Sequence, residues 1–261
     1  MDKVRSCCLT IAGGDSGGNA GVEADLRTFH AYGLHGCNIF AALTAQNPFK
    51  VNSVFPVPAD FVAAQLDAVL GVYSIAALKT GMICGVPVVE AVADRLRMHP
   101  QIRKVVDPVM IATSGVRLAG EDAVAAMERL VLPLADIITP NIPEAESISG
   151  TSIENVEDMR DAAKRLHGRF GCGVLVKGGH LAGAEVEDVF FDGERFSSFK
   201  MSRIENPVSV HGTGCTLSAA IVSELALGRG MRDAIAGAKR YVHNAIATSY
   251  HVGPGCGVLG F

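Results

Sequence analysis

A chain of 261 residues with 49% hydrophobic side chains can bury one large core or two small ones, and a formal net charge of −4 gives no electrostatic footprint for nucleic acid. Aromatics make up only 6%, tryptophan is absent and glycine numbers 29, which suits one sheet of Val, Ile and Leu runs covered by Ala-rich helices. The seven cysteines (7, 8, 37, 84, 172, 215 and 256) are odd in number and lack CxxC spacing, so neither a disulfide framework nor a zinc site is indicated and a reducing cytoplasm is the expected setting.

The apolar run at 7–12 reads as a buried strand, too short for a signal segment or a membrane span, so no membrane partner is expected. A loop rich in glycine, 13–21, leads to an amphipathic helix at 22–32 closed by Gly33. A strand at 35–45 runs into the polar loop Gln46-Asn47-Pro48. Helical spacing follows from 58 to 70, then a strand at 75–78 and a helix at 86–98 with Pro87 in its first turn. Strands at 104–106, 136–138 and 174–176 alternate with helices at 121–134 and 156–170. The stretch 188–196 reads as a β-hairpin around Asp192-Gly193, and helices are expected at 218–227 and 231–250.

This rhythm predicts one domain over 1–261: an α/β, three-layer α/β/α doubly wound, mostly parallel sheet with a short hairpin excursion. Ligands of such sheets lie at the carboxyl ends of the strands. Here those ends read Gly13-Gly14-Asp15, Thr44 with Gln46, Lys79-Thr80-Gly81, Asp107, Thr139 with Asn141 and Glu144, and Lys177-Gly178-Gly179. Acids, a lysine and exposed backbone amides are what phosphoryl transfer requires. Singly, each has a plainer reading: Asp107 before Pro108 can merely end a strand, Lys177 and Asp25 can be solvated, and Gln46 can be a loop amide. The glycine loop is neither GxGxxG nor GxxxxGK[ST].

Around His211-Gly212-Thr213-Gly214-Cys215 two glycines free the backbone just ahead of a helix. Unpaired N–H groups and the helix dipole make an anion pocket there, and a thiol in that position is expected to have a pKa lowered from about 8.5 toward roughly 3.5–7.5. Cys215 is therefore either a base or nucleophile, or an inert cysteine behind a helix cap. His211 is either a contact residue or a packing residue.

In chain order, Ala12-Gly13-Gly14-Asp15-Ser16-Gly17-Gly18 with Ala20-Gly21 and Ala24-Asp25, Ala42-Leu43-Thr44-Ala45-Gln46-Asn47 and Lys79-Thr80-Gly81-Met82 resemble the hydroxymethylpyrimidine/phosphomethylpyrimidine kinases of thiamine biosynthesis. Asp107-Pro108-Val109-Met110, Thr139-Pro140-Asn141 with Glu144-Ala145, Lys177-Gly178-Gly179-His180 and the Cys215 motif continue the likeness over nearly the whole chain. The resemblance implies a ribokinase-like fold, ATP and Mg²⁺, and two successive phosphorylations of one small pyrimidine by a homodimer. It implies that Gln46 reads the aminopyrimidine edge and Asp25 holds the hydroxymethyl end, with Gly13, Ala20, Thr44, Met82 and Val109 lining the pocket. Asp107 and Glu144 would lie near Mg²⁺. Lys177, Asn141 and Thr139 would serve the nucleotide, Gly212, Thr213 and Gly214 the anion hole, and Cys215 would be the base for the first hydroxyl.

One segment departs from the pattern. Where the family commonly carries a Thr-Lys-Asn-Thr run, this chain has Glu205-Asn206-Pro207-Val208-Ser209-Val210, without the lysine, and the hydroxyls of Ser209 and Thr213 are expected to replace it in part. Thr44 is expected to adjust substrate fit. The competing readings are a pyridoxal/pyridoxine kinase on the same fold and a pyrimidine-binding module without catalysis, the latter disfavoured by Asp107, Lys177 and Cys215 together.

Overall fold

Strand β1 (Cys7–Asp15) is buried along its whole length, with Cys7, Leu9 and Ile11 facing one core and Cys8 the other, as a two-residue period in a doubly covered strand demands. The structure is a computed structural model and describes residues 5–110 and 120–261. Helix α1 (Gly21–Ala31) returns the chain to β2 (His35–Asn47), which folds back as β3 (Lys50–Pro56). Then α2 (Ala59–Leu70), β4 (Ile75–Thr80), α3 (Val86–Met98), β5 (Arg103–Val106), α4 (Glu121–Leu130) and β6 (Ile137–Ile138) follow. Helices α5 (Ile142–Ser149) and α6 (Val156–Phe170) lead to β7 (Gly173–Val176) and the hairpin of β8 (Glu185–Phe191) and β9 (Phe196–Ser202). Two long helices, α7 (Thr213–Ala226) and α8 (Met231–Ala247), precede a small ribbon of β10 (Tyr250–Gly253) and β11 (Cys256–Val258).

Among the described residues the main sheet has nine strands in the order β3-β2-β1-β4-β5-β6-β7-β8-β9. Neighbours from β2 through β7 run parallel, and β3, β8 and β9 pair antiparallel at the edges. Helices α2 to α6 close one core and α1, α7 and α8 the other. This is the expected doubly wound three-layer architecture. The chain leaves β1 to one side for β2 and returns to the other for β4, which opens a crevice at the carboxyl ends of the strands.

The helices at 86–98 and 156–170 have the expected bounds. Elsewhere tertiary pairing moved the limits. Residues 46–47 belong to β2, and the unpredicted β3 is a largely exposed edge strand, so it shows no alternation. Helix α5 is also additional: Asn141 and Glu144 form a reciprocal capping box over only eight residues. A 3₁₀ turn at Leu132–Leu134 replaces the end of the helix expected at 121–134, and the 231–250 helix stops at Ala247 because Tyr250 pairs with Val258. The hairpin at Asp192-Gly193 has longer arms than 188–196. Helix α7 begins five residues before 218, so the Gly-Thr-Gly-Cys run is its first turn.

Candidate active site

Asp15, at the end of β1, organises the glycine loop. Its carboxylate accepts hydrogen bonds from the N–H groups of Gly17 (2.8 Å), Asn19 (2.9 Å) and Ala20 (2.9 Å), and His211 Nε2 lies 3.6 Å away. Burial would raise this carboxyl, but His211 and the three N–H donors hold it below its usual value. His211 is thus the link between the loop and the start of α7. Gly212 caps that helix at φ +85°, where a Cβ would collide with the Asn19 carbonyl, so glycine is required both for the conformation and for the approach.

The joined loops form one wall of a cavity of ≈ 800 Å³ over the strand ends. At one end lie Gly13, Ala20, Thr44, Gln46, Met82 and Val109, the six expected to line a substrate pocket. Ser16 Oγ clamps both the N–H (2.8 Å) and the C=O (2.7 Å) of Gln46, so the backbone is fixed while the side-chain amide stands on the cavity wall. The Thr44 hydroxyl donates to the Gly14 carbonyl at 2.8 Å and pins the loop.

Across the cavity, Asp107 from the end of β5 and Lys177 from the end of β7 form an ion pair of 2.9 Å. Thr139 donates to the same Asp107 oxygen at 3.1 Å, while the other oxygen faces Ser218 Oγ at 3.4 Å. Thr139 is fully buried, and its hydroxyl orients Asp107. Asn141 and Glu144 are both cavity residues. The Asn141 side chain also accepts from the Glu144 N–H at 2.9 Å, and Glu144 accepts from the Asn141 N–H at 2.8 Å. Burial pushes the Glu144 carboxyl up to about 7 against the opposing charge of Lys177. Burial pulls the Lys177 ammonium down, but Asp107 and Glu144 outweigh it and hold it above its usual value. A Cβ on Gly214 would sit 3.5 Å from Lys177 Nζ and 3.9 Å from Asp107 Oδ2, so the first turn of α7 stays bare where it faces this cluster.

Beneath the floor lies a second pair. Asp25 and Lys79 are both fully buried, 2.9 Å apart, and Thr10 donates to Asp25 at 2.6 Å. Asp25, expected to hold the substrate hydroxymethyl, is placed by this pair with its carboxylate out of solvent. Burial opposes the Lys79 charge, and the nearby carboxylate of Asp25 more than restores it. Lys79 in turn acts on Cys215, which lines the cavity directly above and receives a hydrogen bond from the Gly21 N–H at the start of α1. Burial nevertheless pushes the Cys215 thiol up to about 11, with Lys79 opposing the rise. The expected low thiol pKa is thus overturned: desolvation outweighs two helix N-termini and a buried ammonium.

The hydroxyls expected to compensate for the absent lysine are engaged locally. Ser209 is buried and accepts from the His211 N–H at 3.2 Å, and Thr213 donates to the Val210 carbonyl at 3.0 Å. The far end of the cavity was not anticipated from the sequence. Met201, Ile204, Leu217, Val242 and Ile246 make an apolar groove there, and Lys239 pairs with Asp188 at 2.6 Å while Asp188 accepts from the Gly178 N–H at 3.0 Å. The apolar spacing of 242 and 246 on one helix was the available signal, but it is indistinguishable from core packing.

The family profile described as phosphomethylpyrimidine kinase matches residues 15–260. The chain is 46% identical over 247 residues to a hydroxymethylpyrimidine/phosphomethylpyrimidine kinase of Rhizobium meliloti, covering 94% of this chain and 92% of that one. It also spans about half, 51%, of the thiamine biosynthesis bifunctional protein ThiED of Geobacter sulfurreducens, at 44% identity over 97% of this chain. Among solved structures, a phosphomethylpyrimidine kinase from Clostridium difficile 630 superposes with a TM-score of 0.83 at 38% identity, covering 93% of this chain and 100% of that one. A Bacillus subtilis pyridoxal kinase in complex with ADP superposes with a TM-score of 0.89 at 34% identity, covering 98% and 97%. With its motifs gathered around one cavity and its profile matched from residue 15 to 260, the chain belongs to the phosphomethylpyrimidine kinase family.

Proposed function

We propose that this chain is a phosphotransferase acting from ATP first on the alcohol of 4-amino-5-hydroxymethyl-2-methylpyrimidine and then on the resulting monophosphate, in thiamine diphosphate synthesis. The observation that carries this reading is the Asp107–Lys177–Glu144 cluster set against the bare first turn of α7, with Gln46 lining the same cavity. A cavity of ≈ 800 Å³ has room for both a phosphate donor and a flat acceptor.

Gln46 presents both a donor and an acceptor to an aminopyrimidine edge, and Met82 and Val109 supply apolar contact to the ring. The groove at Leu217, Val242 and Ile246 takes the adenine, and Lys177 with Asn141 faces the transferring phosphate. A hard dication needs oxygen ligands and keeps most of its waters; Asp107 and Glu144 supply oxygens beside the phosphate corner, so the donor set fits Mg²⁺. When bound, Mg²⁺ neutralises charge on the phosphate oxygens.

In the first transfer the substrate oxygen forms a bond to the γ-phosphorus, the β–γ bridging bond breaks and ADP leaves. The alcohol proton passes to Cys215 Sγ in its thiolate form, which Lys79 and the Gly21 N–H stabilise. The amides of Gly212, Thr213 and Gly214 face the charge that builds on the transferring group. The second acceptor is already an anion at neutral pH and has no alcohol proton to lose. The chain acts as one kinase domain in the cytoplasm, paired as a homodimer.

The second reading, a pyridoxal kinase, is favoured by the close superposition on the Bacillus subtilis enzyme. Parallel assays with hydroxymethylpyrimidine, its monophosphate and pyridoxal under one ATP and Mg²⁺ condition, with product identification, decide between them. Preference for pyridoxal reverses the assignment, and pyrimidine binding without ATP turnover removes the kinase reading altogether.

A further inference from the structure

At the opposite end of the sheet from the cavity, the starts of β1 and β2 bring together Cys7, His35 and Cys37. Their ligand atoms all lie within 4.8 Å of one another, and the two sulfurs are 3.5 Å apart. Cys7 stands opposite His35 in the parallel ladder, and Cys37 is two residues further along β2, so all three project from the same face. Nothing in the linear spacing announces this group, because the ladder and not a CxxC turn assembles it.

We propose that Cys7, His35 and Cys37 form a binding site for a borderline-soft divalent cation of the zinc class, clasping β1 to β2. Two readings compete for a pair of close cysteines. A disulfide requires Cα atoms within about 7 Å, whereas neighbouring strands with a two-residue offset place them about 8 Å apart in regular pleated geometry. A shared metal needs no such approach. Sulfurs bound to one tetrahedral zinc at about 2.3 Å each are about 3.8 Å apart, close to the observed separation.

The third ligand is also held for the task. The His35 ring stacks on Tyr73 at 5.6 Å with planes 12° apart, which sets its orientation while leaving its edge nitrogens clear of the stack. Cys7 and Cys37 are buried and His35 is exposed, so a cation enters from the histidine side and a water takes the fourth position. On binding, each thiol gives its proton to solvent, leaving two thiolates and a neutral imidazole on the metal. The clasp lies away from the phosphate chemistry, so its effect falls on the stability of the β1–β2 pair.

The test uses the full chain, reduced and stripped with a chelator, then titrated with Co²⁺ and with Zn²⁺. The expected result is one Co²⁺ per chain with thiolate charge-transfer absorption and tetrahedral visible bands, displacement by Zn²⁺, and a higher melting temperature with Zn²⁺. His35→Ala, an exposed change compatible with folding, weakens binding by about tenfold or more. Cys37→Ser abolishes the charge-transfer band and Cys215→Ser leaves it intact. Absence of the band with Co²⁺ in excess overturns the site, as does a full band in Cys37→Ser or unchanged affinity in His35→Ala.

Discussion

Two of the buried lysine–carboxylate pairs, Asp25–Lys79 and Asp107–Lys177, have the same chemistry and opposite settings. Asp25–Lys79 and Asp107–Lys177 are both 2.9 Å pairs, and each carboxylate is braced by a threonine, Thr10 or Thr139. Side-chain exposure separates them: 0% for both members of the first pair, 2% and 14% for Asp107 and Lys177. The charge of the sealed pair acts on Cys215, where Lys79 opposes the rise of the thiol. An open pair can release one partner to a phosphate or a cation.

The largest expected effect breaks the open pair. Asp107→Asn should lower kcat at least 1000-fold, about 4 kcal/mol of transition-state stabilisation, with little change in thermal unfolding. Coupled ADP-release kinetics with a melting curve checks both parts. The sealed pair should respond the other way. Lys79→Met strands the Asp25 charge in a dry site and should cost about 3–4 kcal/mol in urea unfolding, much of it recovered when Asp25→Asn is added. Full stability in the single variant would show that Asp25 is not held as an ion there.

Cys215 tests the link between the pairs. Cys215→Ser should slow the first phosphorylation by about 100-fold and the second by less than tenfold, because only the alcohol must lose a proton. With the thiol pushed up to about 11, the thiolate is scarce at neutral pH and rises about tenfold per pH unit up to about pH 10. The first transfer should therefore accelerate with pH over that window, the second should not, and Cys215→Ser should flatten the difference. Equal losses on both steps would remove Cys215 as the base. The smallest effects come from the braces. Thr10→Val should cost about 1–2 kcal/mol of stability, whereas Thr139→Val should cost about 1 kcal/mol and appear mainly in kcat.

The gathering of the motifs around one cavity was largely legible in the chain, and the depth of each side chain less so. Polar and glycine-rich strand ends, read with the doubly wound rhythm, picked out Asp107, Lys177, Glu144 and the start of α7, because an α/β sheet exposes little else at that edge. Asp25 and Thr139 are both fully buried. A sequence carries no measure of that depth. Lys79 lies one residue before the end of the apolar strand β4, and only Asp25, itself braced by Thr10, reveals a buried ion pair there.

The sequence by itself determined the alternation of strands and helices, the glycines that free the loops and the set of acids, lysines and amides at the strand ends, since these depend on local periodicity and backbone freedom. Tertiary structure alone decided which carboxylate is sealed, why the Cys215 thiol is raised and not lowered, and that Cys7, His35 and Cys37 converge. Solvation and cross-strand distance are properties of the packed chain, and both arise from residues far apart in sequence.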